Sequence, residues 1–364
     1  MSTPIGLAKA DLDTPALLVD LDVMEANIAA VAAACREHGI GWRPHTKAHK
    51  TPEIARMQLS AGAIGITCAK LGEAEVMAAA GIRDILIANQ IVGPIKIGRL
   101  MALPADADVI VAVDNAGNLR ELDAAALAAG RRLRVVIEVD IGMGRAGVAA
   151  GPGTVAMARE IAACKGLAFA GLMAWEAQTM TIAESAAKEA AVAAAIRQLV
   201  QCAENCRRIG IAVPIVSCGG TGTFPYCTRQ PGITEVQVGG AIFSDVRYRE
   251  GCHVDLPAAL TILATVTSRP TPTRIVVDAG RKAMSFDTAV PQPIGLAAHE
   301  PAKGSAEHAQ VELLAPSDRP AVGDRLEFVV GYSDTTIHLH EEILGLRHGR
   351  VEQAWRVAGR GRLK

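Results

Sequence analysis

The sequence contains few aromatic residues, no long apolar run and no excess of charge of either sign. Only 3% of its 364 residues are aromatic although 50% are hydrophobic, so the core must consist mainly of Ala, Val, Ile and Leu, as in many α/β enzymes. The 37 Lys and Arg residues balance 38 Asp and Glu residues, which leaves no basic field for nucleic acid or an anionic membrane. No run approaches the roughly eighteen apolar residues that a transmembrane helix requires.

The eight cysteines are scattered and do not form metal-binding pairs. Cys202 and Cys206 lie at helical spacing, but no second pair is present to complete a zinc site. The stretch 1–13 lacks the apolar core of a signal peptide. We therefore expect reduced thiols in a soluble cytoplasmic protein.

Short apolar runs alternate with alanine-rich amphipathic stretches over the first two thirds of the chain. The runs predict eight strands, at 42–45, 64–68, 85–89, 109–113, 135–139, 168–174, 215–217 and 236–239. The segments between them predict helices, among them 52–60, 73–80, 118–129, 155–164 and 183–209. This alternation predicts a (β/α)8 barrel, whose active site would lie at the carboxyl ends of the strands.

From about residue 262 the pattern changes to strand-like runs separated by turns rich in proline and glycine. The predicted strands are 262–268, 274–277, 310–314, 325–330 and 336–339. We expect a barrel at 14–261 and a C-terminal all-β domain at 262–364. A run at 17–20 can pair with either domain, so residues 1–20 can join the β domain.

The segment 43–50 places Lys47 between the first predicted strand and the helix that begins at 52. Proline at 44 favours extended backbone before it, and proline at 52 is typical of a first helical position. At such a junction partial burial and the cations Arg43 and Lys50 favour the uncharged amine, which is a nucleophile for an aldehyde cofactor. A surface loop lysine is the alternative.

Two glycine-rich segments follow the last two predicted barrel strands, at 217–222 and 237–240. Glycine allows backbone N–H groups to approach a phosphate closely, and barrels often bind phosphate after strands seven and eight. Tight turns without a ligand are the alternative for either segment alone.

The segment 142–147, Gly-Met-Gly-Arg-Ala-Gly, formally matches a dinucleotide-binding fingerprint. Four β/α units precede it, whereas a nucleotide-binding fold carries these glycines after its first strand, so we do not expect a nicotinamide site. Arg145 lies at the mouth of the fifth predicted strand. There it can bind a cofactor ring nitrogen or a substrate carboxylate, or form a surface salt bridge.

Metal-ligand residue types occur at two places. The segment 332–340 alternates like a strand and includes Asp334, His338 and His340, although a strand separates residues i and i+4 by about 13 Å, too far for all three to bind one ion. Exposed polar residues on an edge strand are an equal alternative. His45 and His49 have the spacing of a helical zinc pair, but no third ligand is near in sequence.

Together these segments resemble the D-threonine aldolase and D-serine dehydratase family of fold-type III pyridoxal-phosphate enzymes, which includes the 3-hydroxy-D-aspartate aldolases. The similar motifs lie at 13–20, 43–50, 142–148, 219–222, 277–280 and around Asp334. The resemblance implies an alanine racemase-type barrel with a β domain, a homodimer and pyridoxal 5'-phosphate bound to Lys47 as a Schiff base. It also implies that Gly220, Thr221, Gly239 and Gly240 hold the phosphate.

The complete candidate set combines motif and resemblance. The candidate catalytic residues are Lys47, Glu176 and Tyr332. The candidate cofactor-binding residues are Lys47, His45, Arg145, Trp175, Ser217, Gly219, Gly220, Thr221, Gln237, Gly239 and Gly240. Asp334 is the candidate ligand for a divalent metal (Mn, Mg or Zn).

The chain departs from the family pattern at two places. Tyr332 occupies the position of a metal-binding histidine, so Asp334 remains without that partner. The segment 175–181 supplies no histidine to act as a base after the sixth strand, so Glu176 or a group near Asp334 would have to deprotonate the substrate hydroxyl.

The first functional hypothesis is a pyridoxal-phosphate lyase that cleaves a β-hydroxy-D-amino acid into glycine and an aldehyde. The alternatives are a dehydratase of D-serine or 3-hydroxyaspartate, and a racemase or epimerase that uses Lys47 and Tyr332. A protein that only stores pyridoxal phosphate would not need a second domain, so the β domain favours an enzyme. The sequence indicates a small amino-acid substrate but does not identify it.

Overall fold

The computed structural model describes residues 4–364, and they form two compact units. One unit contains the N-terminal residues up to Ala29, together with Ala48–Thr51 and Gly240–Arg360. The other contains Ala30–Lys47, Pro52–Gly239 and Gly361–Lys364. The sequence predicts the boundary between the barrel and the C-terminal β domain at residue 261. Residues 1–3, the start of the stretch without a signal-peptide pattern, lie outside the described residues.

The chain begins with strand β1 (Ala16–Asp20) and helix α1 (Leu21–Glu37). β1 pairs antiparallel with residues 260–263 and parallel with residues 344–346. Its apolar residues Leu17, Leu18 and Val19 are buried. The run at 17–20 therefore belongs to the β unit and not to the barrel.

Parallel strands form the barrel unit. They are β2 (Gly41–Trp42), β3 (Ile66–Cys68), β4 (Asp84–Gln90), β5 (Asp108–Val113), β6 (Leu133–Asp140), β7 (Val148–Ala149), β8 (Leu167–Met173), β9 (Ile215–Cys218) and β10 (Glu235–Val236). Their order is β2-β10-β9-β8-β6-β5-β4-β3, with β7 beside β6. A bridge between His45 and Thr67 and a hydrogen bond from Ile64 N to Trp42 O (2.8 Å) join β2 to β3, so the sheet closes as the predicted (β/α)8 barrel.

The barrel helices follow the strands in alternation. They are α2 (Pro52–Ser60), α3 (Leu71–Ala79), α4 (Pro94–Met101), α5 (Ala116–Ala128), α6 (Pro152–Ala163), α7 (Ser185–Arg208) and the short α8 (Phe224–Cys227). Their starts have physical causes: α4 and α6 begin at proline, and Asn115 caps α5 by accepting from Gly117 N and Asn118 N. Strand β5 is buried except at its first residue, as expected for a parallel strand covered on both faces. A core of Leu86, Ile110, Ala112, Val136, Ala170, Met173 and Ile215 packs against Ala88.

The β unit contains β11 (Leu260–Ser268), β12 (Arg274–Val277), β13 (Gln292–Pro293), β14 (Lys303–Gly304), β15 (Ala309–Glu312), β16 (Arg325–Val329), β17 (Glu342–Arg347) and β18 (Arg350–Arg356). The main path is β14-β15-β12-β11-β1-β17-β18, and β16 pairs with β11 and β13. A core made mainly of leucine stabilises the sheet: Leu12, Leu18, Leu263, Leu344, Leu346 and Val351. The second, all-β region is therefore confirmed.

The strand predicted at 336–339 is wrong. Residues Ser333–Thr336 form helix α9, and Ile337–Leu339 continue it as a 3-10 turn. Side-chain bonds to the backbone favour this turn, because Asp245 Oδ2 accepts from Ser333 N (2.7 Å) and Thr336 Oγ1 donates to Tyr332 O (2.8 Å). The even-numbered residues of 332–340 consequently do not share one strand face.

Within residues 4–364 no helix is long enough and apolar enough to span a lipid bilayer.

Candidate active site

Lys47 lies in a 3-10 turn, Thr46–Ala48, shortly after β2. The neighbouring side chains fix this turn: Thr46 Oγ1 donates to Glu73 Oε1 (2.5 Å), and the Trp42 indole N–H donates to Val238 O (2.8 Å). Lys47 Nζ lies 5.2 Å from the centroid of the Trp175 ring. The strand predicted at 42–45 is shorter than expected, but the lysine is held at the carboxyl end of the first barrel strand as predicted.

Arg43, expected as a cation near Lys47 that favours the uncharged amine, is paired with carboxylates in the structure. Its guanidinium is buried and binds both oxygens of Glu235 (3.0 and 3.1 Å) and the carboxylate of Asp84. Burial lowers the pKa of Arg43, but the charges of Glu235 and Asp84 outweigh it, so that the pKa is raised. Arg43 therefore links the segment that precedes Lys47 to β10 through Glu235 and to β4 through Asp84. These two carboxylates compensate its positive charge.

Trp175 brings two cationic side chains to one aromatic ring. The Arg145 guanidinium carbon lies 5.2 Å from the ring centroid, the same distance as Lys47 Nζ. Trp175 follows β8 by two residues, and its Nε1 would be 3.0 Å from a Cβ placed on Gly220. The structure thus brings together Lys47, Trp175, Arg145 and the first glycine loop, at the end of the barrel where an active site was predicted.

The loop 141–147 holds Arg145 in place. Asp140 Oδ1 accepts from Gly142 N (2.9 Å) and Gly144 N (3.1 Å), and these bonds lower the pKa of Asp140. Gly147 has a φ of +108°, and a Cβ there would lie 2.8 Å from Asp140 N. Turn geometry accounts for these glycines.

Sequence reasoning missed the polar side chains that orient Arg145. Glu138 Oε1 accepts from Arg145 Nη2 (3.4 Å), while Gln90 Nε2 donates to Glu138 Oε2 (2.6 Å) and to Asp114 Oδ2 (3.1 Å). Asp114 Oδ2 also accepts from Gly147 N (3.0 Å). A signal existed, because Gln90, Asp114 and Glu138 each lie close to the carboxyl end of an apolar barrel strand.

The glycine segments after β9 and β10 have unused backbone donors. Among residues 4–364 no acceptor bonds to the N–H groups of Thr221, Gly222 or Gly239, and these three residues are buried. A Cβ on Gly239 would lie 2.2 Å from His45 O, so only glycine fits there. Buried N–H groups are normally bonded, and an anionic ligand would satisfy them.

The remaining candidates near these loops are placed as follows. Gln237 Nε2 donates to Ser217 Oγ (2.9 Å), and both residues are buried. His45 Nδ1 accepts a long bond from Lys47 N (3.4 Å). Gly240 starts a 3-10 turn in the β unit, where a Cβ would lie 2.6 Å from the Tyr248 ring.

Glu176 has no exposed surface. Its carboxylate accepts hydrogen bonds from Gly219 N (3.2 Å), Thr223 Oγ1 (2.5 Å) and Cys227 Sγ (3.2 Å). Glu176, Cys218 and Cys227 also form the one group of three potential metal ligands found within residues 4–364, with ligand atoms within 4.8 Å of one another.

The three side chains form a hydrogen-bonded chain in this structure. Burial, the bond to Cys218 and the charge of Glu176 raise the pKa of Cys227 well above its ordinary value. The bond to Cys227 lowers the pKa of Cys218, but burial and the charges of Glu176 and Glu235 raise it overall. The raised pKa values favour protonated thiols, and Cys227 Sγ accordingly donates a hydrogen bond to Glu176 Oε1.

In the β unit, Tyr332 and Asp334 form a pair. The Tyr332 hydroxyl donates to Asp334 Oδ2 (2.9 Å), and burial together with the charge of Asp334 raises the pKa of Tyr332. Arg247 lies over the Tyr332 ring at 4.9 Å, and Tyr248 packs edge-on against it. His340 Nε2 is bonded to Ala283 O (2.6 Å) instead of facing a metal.

This pair does not fit a divalent metal. Within the described residues Asp334 belongs to no group of three metal-ligand side chains, and the same holds for His45 and His49. A neutral phenol occupies one carboxylate oxygen of Asp334. Phenol is a weak ligand until it loses its proton, which the raised pKa opposes.

The barrel end does fit pyridoxal phosphate. It offers a primary amine beside an aromatic ring, a guanidinium held on the same ring, and buried N–H groups in glycine loops. A lysine after the first strand and glycine loops after the last two strands of a (β/α)8 barrel, combined with a β unit, define a fold-type III pyridoxal-phosphate enzyme.

Comparison with known proteins defines the family. The model of the alanine racemase N-terminal domain matches residues 19–246, and that of a serine dehydratase domain matches residues 259–346. The chain belongs to this family, in the group that contains D-threonine aldolase. It is 37% identical to D-threonine aldolase of Arthrobacter sp over 97% of this chain and 94% of the relative.

Two further relatives agree. The 3-hydroxy-D-aspartate aldolase of Paracoccus denitrificans is 35% identical over 98% of this chain and 94% of its own length. The crystal structure of D-threonine aldolase from Filomicrobium marinum superposes with a TM-score of 0.96 at 34% identity and covers 100% of both chains. The chain is therefore an enzyme of a pyridoxal-phosphate aldolase family, as the motifs predicted.

Proposed function

We propose that this enzyme cleaves a β-hydroxy-D-amino acid of the D-threonine type into glycine and an aldehyde. The observation that carries the proposal is Lys47 Nζ at 5.2 Å from the Trp175 ring, at a barrel end with unused buried N–H donors. Two relatives over nearly the whole chain bear the name aldolase, which supports carbon–carbon cleavage.

The side chains have separate tasks in this reaction. Pyridoxal phosphate, when bound, supplies the electron sink for the bond that breaks. Lys47 would hold the cofactor covalently through Nζ, Trp175 would pack against it, and the loops that contain Thr221 and Gly239 would bind its phosphate. Arg145, held by Glu138, would donate hydrogen bonds to a ring atom or to a substrate carboxylate.

A proton must also leave the substrate hydroxyl. We propose Tyr332 as a candidate for this transfer. Its oxygen would accept the substrate proton while its own hydroxyl proton passes to Asp334, to which it is already hydrogen-bonded. Tyr332 is also the residue that a racemase would need as its second base. No step of the proposed reaction requires a metal at Asp334.

Proton NMR of the purified holoenzyme with D-threonine in deuterated water tests the reaction. We expect glycine and acetaldehyde, formed at the same rate with added manganese and after treatment with a chelator. L-Threonine provides the stereochemical control and should remain unchanged. A strict requirement for manganese would contradict the conclusion that Tyr332 and Asp334 do not form a metal site.

The second candidate is β-elimination, which the match of residues 259–346 to a serine dehydratase domain favours. The same NMR experiment with D-serine would then show pyruvate and no glycine. Deuterium at the α-carbon of an intact substrate would instead identify a racemase or epimerase. Either result in place of glycine and aldehyde would overturn the aldolase proposal.

Replacing Arg145 by alanine should lower kcat/KM by about 10- to 100-fold, because a charge-assisted hydrogen bond to a bound anion contributes about 1.5–3 kcal/mol. The melting temperature should change little, since the side chain is 50% exposed. Arg134→Ala is the matched control: this arginine pairs with Asp108 at the amino end of β6, away from the carboxyl ends of the barrel strands. Equal losses in the two variants would contradict a binding role for Arg145.

We also propose a cytoplasmic homodimer. All eight cysteines are free thiols in the structure, which fits a reducing compartment. The dimer is an expectation from the family resemblance, and sedimentation equilibrium tests it.

A further inference from the structure

The glycine loop 219–223 rests on one buried carboxylate. Glu176 Oε2 accepts from Gly219 N at the start of the loop, and Oε1 accepts from Thr223 Oγ1 at its end. Cys227 Sγ adds a third donor to Oε1. Protein groups thus occupy both oxygens, and no surface of Glu176 is exposed to receive a substrate.

Thr223 connects the carboxylate of Glu176 to a second N–H group of the loop. Its Oγ1 accepts from Gly220 N (3.3 Å) while its hydroxyl proton goes to Glu176. Two loop N–H groups, those of Gly219 and Gly220, are consequently bonded directly or through Thr223 to one carboxylate. The conformation of the loop therefore depends on a hydrogen-bond acceptor at the position of the Glu176 carboxylate.

The two residues in the middle of the loop differ from those at its start. Within residues 4–364 the N–H groups of Thr221 and Gly222 have no acceptor, although both residues are buried. A buried N–H without a partner costs roughly 1–3 kcal/mol, so these two groups are expected to bind a ligand oxygen.

We propose that Glu176 is a positioning residue and not the base of the reaction: it binds Gly219, Thr223 and, through Thr223, Gly220, and so leaves the Thr221 and Gly222 N–H groups for the cofactor phosphate. The inference rests on the proposed function, since it requires pyridoxal phosphate as the ligand. It assigns Glu176 to phosphate affinity and leaves proton transfer to other groups.

Glu176→Gln is the sharpest test, because glutamine keeps the shape but replaces one acceptor by an NH2 donor. In the wild type both carboxylate oxygens of Glu176 accept hydrogen bonds from the loop. In either orientation of the glutamine side chain, its NH2 group would therefore face a loop donor instead of an acceptor. The dissociation constants of the full-length protein for pyridoxal phosphate and for pyridoxal, which lacks the phosphate, are measured by absorbance titration. We expect at least about a tenfold weaker binding of pyridoxal phosphate and less than about a twofold change for pyridoxal.

Two outcomes would overturn the proposal. Unchanged affinity for pyridoxal phosphate with kcat reduced by about 10²- to 10⁴-fold would identify Glu176 as an acid–base catalyst. Equal weakening for both ligands would show a general structural role without selectivity for phosphate.

Thr223 provides the second pair of variants, in case Glu176→Gln does not fold. Thr223→Val removes the hydroxyl that links Gly220 to Glu176 and should weaken pyridoxal phosphate selectively. Thr223→Ser keeps the hydroxyl and should retain the wild-type affinity. Identical affinities in the two Thr223 variants would contradict the inference.

The wild-type protein separates failure of the inference from failure of the proposed function. A wild type that binds pyridoxal phosphate no more tightly than pyridoxal lacks the phosphate site and fails both. A wild type with a clear preference for pyridoxal phosphate that Glu176→Gln leaves intact fails the inference alone.

Discussion

Replacing Lys47 by alanine is expected to lower kcat by at least about 10³-fold, because the amine that attaches the cofactor is lost and no other group can replace it. Borohydride reduction followed by peptide mass spectrometry should locate the cofactor on Lys47 in the wild type and find none bound to the variant. The unfolding transition should shift little, since Lys47 is a half-buried residue in a turn fixed by Thr46 and Trp42.

Lys165→Ala is the control for Lys47→Ala. Lys165 is exposed and lies just before β8, at the amino end of the barrel strands, so its loss should leave activity and cofactor content unchanged. A Lys47→Ala protein that still carries reducible cofactor on another lysine would contradict the central assignment.

Replacing Arg43 by alanine is expected to lower the free energy of unfolding by about 3–5 kcal/mol, because Glu235 would remain as an uncompensated buried charge. Urea denaturation followed by circular dichroism measures this loss. Arg83→Ala is the comparison: the salt bridge of Arg83 with Asp106 is exposed and should contribute less than about 1 kcal/mol.

A double variant separates the charge from the packing at this site. Arg43→Met combined with Glu235→Leu removes the buried ion pair, keeps apolar volume and leaves only the partly exposed carboxylate of Asp84, so it should recover much of the lost stability. If the double variant is as unstable as Arg43→Ala, the hydrogen-bond geometry of Arg43 matters more than its charge compensation. A loss below about 1 kcal/mol in Arg43→Ala would contradict the structural role of the network.

The barrel could be predicted from sequence because its signals are local. Apolar runs such as 109–113 are buried on both faces and bounded by turn residues, and the structure places a strand there at Asp108–Val113. The lysine and the glycine loops could be located because each directly follows such a run. Helix α4, which lies between two of these strands, begins at a proline, a usual residue at the first helical position.

Features that depend on tertiary contacts could not be predicted in this way. The segment 332–340 alternates like a strand, yet Asp245, which is distant in sequence, bonds to Ser333 N and the chain forms a helical turn. Likewise nothing in the sequence places Glu176 beneath residues 219–223, because that contact depends on the pairing of β8 with β9.

Neighbouring strands of the barrel pair over very different lengths, and this affects where the barrel can open. β6 and β8 pair over many residues, whereas β2 has two residues and meets the strand β3 beside it through the bridge of His45 to Thr67 and a few single hydrogen bonds. Local unfolding costs the least free energy where the fewest backbone hydrogen bonds must break, so we expect transient opening first between β2 and β3. A cofactor anchored to Lys47 and bound by the loops after β9 and β10 would hold β2 against these strands, so that occupancy of the site and protection of the β2 amides from hydrogen exchange would rise together.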